Sequence, residues 1–232
     1  MAWSLPQELT DQIVSVAYHT SANPSETLKA LCLTHSTFRA QARRLVFGHV
    51  SLEWPTLYPR SYRQSTHAFR DLLKRSAGEI GLLVRTLQVT GAPDPSRDPA
   101  VLHVLAALPL LTDIVFASCG TAIMRMVAAQ LPRLLPPLVE RVAFLDNYYV
   151  ENSEDMYALV GKFPRLKGLE LRDAFWHRYI SKQAEASIAL KTLILSSDGI
   201  GSDGELDRED ILQFLLHPSS PITLTELETL QG

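Results

Sequence analysis

The one spacing in this chain that suggests cofactor chemistry is Gly199-x-Gly201-x-x-Gly204. Glycines so placed let a backbone turn close on a pyrophosphate, whose charge then rests on the N–H groups of a following helix. A strand pattern, LKTLILS, precedes the glycines and a helical pattern, EDILQFLL, follows them. Asp198, Asp203, Glu205 and Asp207 crowd the same turn and would repel that anion, and little chain is left for a second half-site. The acids also lack the D-x-D-x-D-G order of a calcium loop. The segment therefore reads as an acidic turn. Seven histidines are scattered without an HExxH pair, His35 and His177 among them, and no Gly-x-Ser-x-Gly supplies a nucleophile. Cys32 and Cys119 cannot form a disulfide framework or a four-cysteine zinc site, and their apolar surroundings make them small core residues. No catalytic, cofactor-binding or metal-ligating residue is assigned, no cofactor is expected, and the chain is expected not to be an enzyme.

Function must then reside in surfaces and in the elements that carry them. Of 232 residues, 46% are hydrophobic and 20% charged, enough to bury a core and too apolar for a disordered chain. The longest apolar stretch, VLHVLAALPLL, is too short for a bilayer, which takes about 20 residues. MAWSLPQEL lacks the cationic flank of a secretory signal. A soluble intracellular protein, cytoplasmic or nuclear, is expected, with no membrane partner. Residues 1–80 carry a net charge of +3 and residues 81–232 one of −6, without a dense basic stripe. Arg39, Arg43 and Arg44 read as a solvated helix face, and no nucleic-acid partner is expected.

Three segments share one skeleton: Pro109-x-Leu111-x-x-Ile114-x-Phe116, Pro137-x-Val139-x-x-Val142-x-Phe144 and Pro164-x-Leu166-x-x-Leu169-x-Leu171. The same trace without proline occurs at Val84-x-x-Leu87-x-Val89 and Leu190-x-x-Leu193-x-Leu195, and more weakly at Leu224-x-x-Leu227. The central apolar positions 87, 114, 142, 169, 193 and 227 are 27, 28, 27, 24 and 34 residues apart. Period-two alternation at the end of each trace predicts a strand with one apolar face. Proline ends the preceding helix and opens the strand. Helical patterns fall between strands, at 98–108, 121–131, 152–163, 179–189 and 206–216. Strand plus helix at this interval predicts an α/β fold with a parallel sheet. One unit cannot cover its own apolar face, whereas stacked neighbours can, which predicts a β/α solenoid. A doubly wound sheet is the alternative.

The first fifty residues differ. Ser4 and Gln7 have capping-box spacing, and Leu9, Ile13 and Val16 share one helical face. HTSANPSET reads as a loop. Leu28, Leu31 and Cys32 mark a second helix, and Phe38, Ala42 and Leu45 a third. So small a helical unit needs a partner or the following domain to complete its burial.

The LxxLxL traces over 84–230 resemble degenerate leucine-rich repeats. LPQEL (5–9), Ile13 and LKALCLTHSTFRAQARRLVF (28–47) resemble an F-box, and the whole is similar to fungal proteins in which an F-box precedes irregular leucine-rich repeats. HAFRDLLKRSAGEIGLLVRTLQV (67–89) fits that type as a helix feeding the first repeat strand. Ala17, Thr34, His35 and Phe38 depart from the pattern, replacing a larger aliphatic, Val, Cys and Trp. The organisation expected is an F-box-like three-helix unit at 3–50, a connecting strand/helix segment at 51–83 and a repeat domain at 84–230.

The resemblance implies a substrate-recruiting adaptor of a cullin-RING ubiquitin ligase, docked through a Skp-type adaptor, with Leu5, Pro6, Leu9 and Ile13 as the apolar docking face. Leu31 and Phe38 extend that face or fill the core behind it. The strand residues between the inward apolar ones, Thr86, Gln88, Asp113, Arg141, Glu170, Arg172 and Thr192, form the putative face for a protein substrate, and Glu226 and Glu228 continue it. Their mixed charge suits a protein rather than an anion. The alternatives are a repeat interaction protein without ligase docking and an α/β nucleotide-binding enzyme using the 199–204 turn. The sequence given ends at Gly232, soon after its last strand trace, so an uncapped sheet edge and poor solubility are expected.

Overall fold

The computed structural model describes residues 6–34, 36–53, 63–91, 100–119, 138–145, 158–172, 188–196 and 222–231, together with 125, 127, 129, 215–217 and 220. Three helices come first: α1 (Gln7–Thr20), α2 (Pro24–Thr34) and α3 (Ser36–Gly48). Pro6 holds an extended ψ of 144° and opens α1 without a side-chain cap. Ser4, one half of the predicted capping box, lies outside the described residues; Gln7 is the first helical residue, and its side-chain amide donates to Asp11 Oδ1 at 2.6 Å. The predicted loop at 19–27 shrinks to residues 21–23. Proline suits the first turn of α2, where its missing N–H is not needed, and Asn23 Oδ1 accepts from the Glu26 amide. Val14, Leu28 and Ala42 form the small core among these helices, with Tyr18, Leu31, Cys32, Phe38 and Leu45 packed around it.

The rest of the described chain is α/β. In order come β1 (His49–Glu53), α4 (Arg63–Arg75), β2 (Thr86–Thr90), α5 (Ala100–Ala106), β3 (Asp113–Ala117), β4 (Arg141–Leu145) and β5 (Gly168–Arg172). Then follow β6 (Ile188–Ala189), β7 (Thr192–Ser196), β8 (Ile222–Thr223) and β9 (Thr229–Gln231). Among the described residues, one seven-stranded sheet runs β1-β2-β3-β4-β5-β7-β9 with every pair parallel, and β6 and β8 form a separate parallel pair. Sheet order follows chain order. It has no reversal of the kind that makes a switch point in a doubly wound sheet.

Register lines up the apolar positions. Val50, Leu87, Ile114, Val142, Leu169, Leu193 and Leu230 share one row, and Leu52, Val89, Phe116, Phe144, Leu171 and Leu195 share the next. From Leu52 to Leu195 these rows are buried, and the Phe116 and Phe144 rings stack at 5.7 Å. The leading residue of each trace, Val84, Leu111, Val139, Leu166 or Leu190, is also buried. Below the strands one backbone pattern recurs: the amides of Lys167 and Gly168 both donate to the Glu140 carbonyl, and those of Lys191 and Thr192 to the Lys167 carbonyl. Helices α4 and α5 pack on each other, and α5 is buried along most of its length.

Three expectations change. The sheet starts one strand earlier than the predicted repeats, because Phe47-x-x-Val50-x-Leu52 is itself a trace of the same kind; residue 50 lies inside β1. The last strand centres on Leu230 rather than Leu227. Leu227 packs against the core as the leading residue, and the Glu228 and Thr229 amides both donate to the Lys191 carbonyl. The helix predicted at 179–189 does not reach its end, since Ile188–Ala189 pairs with Ile222–Thr223 as a strand. Within the patterns at 98–108 and 152–163, α5 and residues 158–160 are helical, and the described residues 107–108 and 161–163 are not. Those at 121–131 and 206–216 lie mostly outside the described residues.

Candidate functional site

Two surfaces collect the residues singled out in the sequence. The first is on α1. Thr10 and Val14 face its neighbours and are buried, while Leu9, Ile13 and Val16 are 46%, 44% and 60% exposed. Residues at i, i+4 and i+7 lie along one side of a helix, so these three make an apolar stripe turned away from the unit's own core. Pro6 is exposed at the head of the stripe, and its carbonyl accepts from Thr10 Oγ1. Leu5 lies outside the described residues. Leu31 and Phe38 are half-buried and belong to the core behind α1 rather than to the stripe.

The second surface is the open side of the sheet. His49, Thr86, Asp113, Arg141, Gly168, Thr192 and Thr229 share its first row. Ser51, Gln88, Val115, Ala143, Glu170, Ile194 and Gln231 share the second, and Glu53, Thr90, Ala117, Leu145, Arg172 and Ser196 the third. Thr86, Gln88, Asp113, Arg141, Arg172 and Thr192 are at least partly exposed here, as the alternation requires. Glu170 is the exception, at 7% exposure. Its Oε2 accepts from Arg141 Nη2 at 2.7 Å and its Oε1 from Arg172 Nη2 at 2.9 Å. A carboxylate removed from water needs such partners, and it finds them one strand away and two residues along its own strand. Glu170 therefore holds two half-exposed guanidiniums in place and is itself withdrawn from any partner. The Arg141 side chain lies across Gly168, where no side chain stands.

A depression of about 390 Å³ surrounds Gly168, lined by Asp113, Arg141, Lys167, Thr192 and Ile194 among others. Along its lower margin Lys167 pairs with Glu140 at 2.8 Å, and Lys191 with Glu228 at 2.7 Å. The Glu228 carboxylate, accepting that hydrogen bond, holds the Lys191 ammonium above its ordinary value. Glu228 thus belongs to the edge below β9, not to the open face, where Thr229 and Gln231 stand. The rows mix both signs with Thr, Gln, Val and Ile.

Sequence reasoning passed over several exposed residues. His49, Ser51 and Glu53 extend the open face, and the Phe47-x-x-Val50-x-Leu52 trace could have revealed them. Leu33 is 85% exposed and Val46 41% exposed, both off the periodic face of their helices. The glycine-rich turn at 199–204, His35 and His177 lie outside the described residues. Cys119 is buried and donates to the Val89 carbonyl. Among the described residues no three His, Cys, Asp or Glu side chains gather as metal ligands, and no helix is long and apolar enough to cross a membrane. Comparison with family profiles, curated proteins and solved structures gives no match to this chain.

Proposed function

We propose that this chain is a non-catalytic adaptor. In this reading residues 6–48 act as an F-box-like unit that docks on the Skp-type adaptor of a cullin-RING ubiquitin ligase. The sheet and its crossovers act as an irregular leucine-rich-repeat solenoid that holds a protein substrate. The observation that carries the proposal is the exposed stripe Leu9, Ile13 and Val16, which the unit's own core leaves unused. A contiguous apolar strip on a short helix is the form partner surfaces commonly take. The solenoid reading draws support from sheet order that follows chain order and from the recurring backbone hydrogen bonds below each strand.

The mechanism is tethering. One end of the chain holds the ligase and the other the substrate, so transfer becomes effectively intramolecular and depends on the span between them rather than on a reacting side chain. Rigid continuity serves that role. Helix α3 passes directly into β1, the Arg85 amide donates to the Gly48 carbonyl, and Arg43 approaches Glu79 at 3.5 Å.

Co-purification of the full chain with a recombinant Skp-type adaptor tests the proposal. The adaptor is expected to be retained by the wild-type chain and lost with Leu9→Glu/Ile13→Glu. Failure of the wild-type chain to retain it, or retention by the double variant, would overturn the docking assignment.

A further inference from the structure

A second apolar feature lies on the helical unit away from α1. Lys29, Cys32, Leu33, Arg43, Val46 and Phe47 line a groove between α2 and α3 of about 390 Å³. Leu33, 85% exposed, and Val46, 41% exposed, form its walls, and Phe47 reaches from it toward the main core. Neither the α1 stripe nor the open sheet face contributes a residue, so the docking proposed above leaves this groove unused.

The rim is basic. Helix α3 carries Arg39, Arg43 and Arg44 and no acidic residue. Arg39 Nε donates to the Cys32 carbonyl, which keeps that guanidinium beside the groove. Lys29 and Arg43 pair with Glu26 and Glu79, but those carboxylates are 62% and 72% exposed, and exposed pairs of this kind exchange partners at little cost. An apolar floor between cations fits a ligand that offers both an apolar edge and acidic flanks. It does not suit nucleic acid, which would meet Leu33 and Val46 where a phosphate needs donors.

We propose that the groove between α2 and α3 is the docking site of an acidic amphipathic helix from a partner protein, which seats aliphatic side chains on Leu33, Val46 and Phe47 and pairs its carboxylates with Lys29, Arg39 and Arg43. Helix-in-groove recognition uses anchors at i, i+4 and i+7, a spacing that one such groove can accept.

The test uses the full chain and a synthetic peptide of about 15 residues, long enough to form a helix, with Leu at i, i+4 and i+7 and Glu between. A second peptide carries Lys in place of every Glu, and duplex DNA serves as a third probe. Fluorescence anisotropy is read together with the alkylation rate of Cys32, a groove residue; buried Cys119 is the internal reference. The acidic peptide is expected to bind, to slow Cys32 alkylation and to weaken as salt rises. Arg43→Glu is expected to weaken it at least tenfold, and Leu33→Asp, a change at an exposed position, to abolish it. Ile13→Glu on α1 is expected to leave it unchanged, so the result stands apart from adaptor docking. Equal binding of both peptides, binding of DNA alone, no protection of Cys32, or full binding by Leu33→Asp would overturn the proposal.

Discussion

The helical unit and the sheet place their apolar side chains in opposite ways. Around β1 to β9 a continuous buried cluster runs from Val50 to Ile222, and the strand rows that build it point inward together. Among the described apolar side chains of α1, α2 and α3, only Val14, Leu28 and Ala42 are buried, while Leu9, Ile13, Val16, Leu33 and Val46 remain exposed. Stability is thus concentrated in the sheet, and unused apolar surface in the unit with the least core. A domain that leaves aliphatics in water beside so small a core gains by covering them with another protein.

That contrast can be broken from either side. The largest effect is expected from Phe144→Ala, which removes a ring that is fully buried and stacked on Phe116; truncations of this kind cost about 3–5 kcal/mol. Urea unfolding followed by far-UV circular dichroism should show the loss across the whole sheet transition. Next comes Gly81→Ala. A Cβ there would run into the Ala107 carbonyl oxygen, so the backbone after α4 must move away from the end of α5, at about 1–3 kcal/mol. Thermal melts should register that cost with the helical unit's far surface intact.

Glu170→Gln sharpens the comparison on the sheet's own open face. It removes the charge that fixes Arg141 and Arg172, and a loss of about 1–2 kcal/mol is expected, moderated because both guanidiniums are half-exposed. The smallest effect concerns the edge pair of Lys191 and Glu228. The Lys191 value is raised in the folded state, so the pair contributes fully below the ordinary 10.5 and fades as pH rises through the higher folded value. Amide exchange at Thr229, compared between wild type and Lys191→Met near neutral pH, should show only slightly faster exchange in the variant.

Much of the sheet is legible in the sequence because its signal is local and repeated. Leu111, Ile114 and Phe116 carry, within six residues, the lead, the row and the alternation that Val139, Val142 and Phe144 carry again. The start of the first strand is harder to read, because α3 runs to Gly48 and passes straight into β1 with no proline to separate helix from strand. At the far end, Leu224-x-x-Leu227 and Leu227-x-x-Leu230 have equal spacing, and only the hydrogen bonds to Lys191 choose between them. The burial of Glu170 was not legible either, since its partner Arg141 is fixed by strand register and not by sequence distance. On α1 the face of Leu9, Ile13 and Val16 is plain from spacing, but spacing alone does not tell an exposed face from a core face. The burial of Thr10 and Val14 places the core on the other side of the helix.

The measurement that bears most directly on the account pairs two readouts on the same preparations of wild type and Ile13→Glu: the Kd for a purified Skp-type adaptor by calorimetry, and the Tm of the free chain. The account predicts a Kd weakened by at least about a hundredfold with the Tm nearly unchanged, because Ile13 faces solvent and not the core. A Tm that falls as it would for a core truncation, or a Kd that does not move, would contradict it.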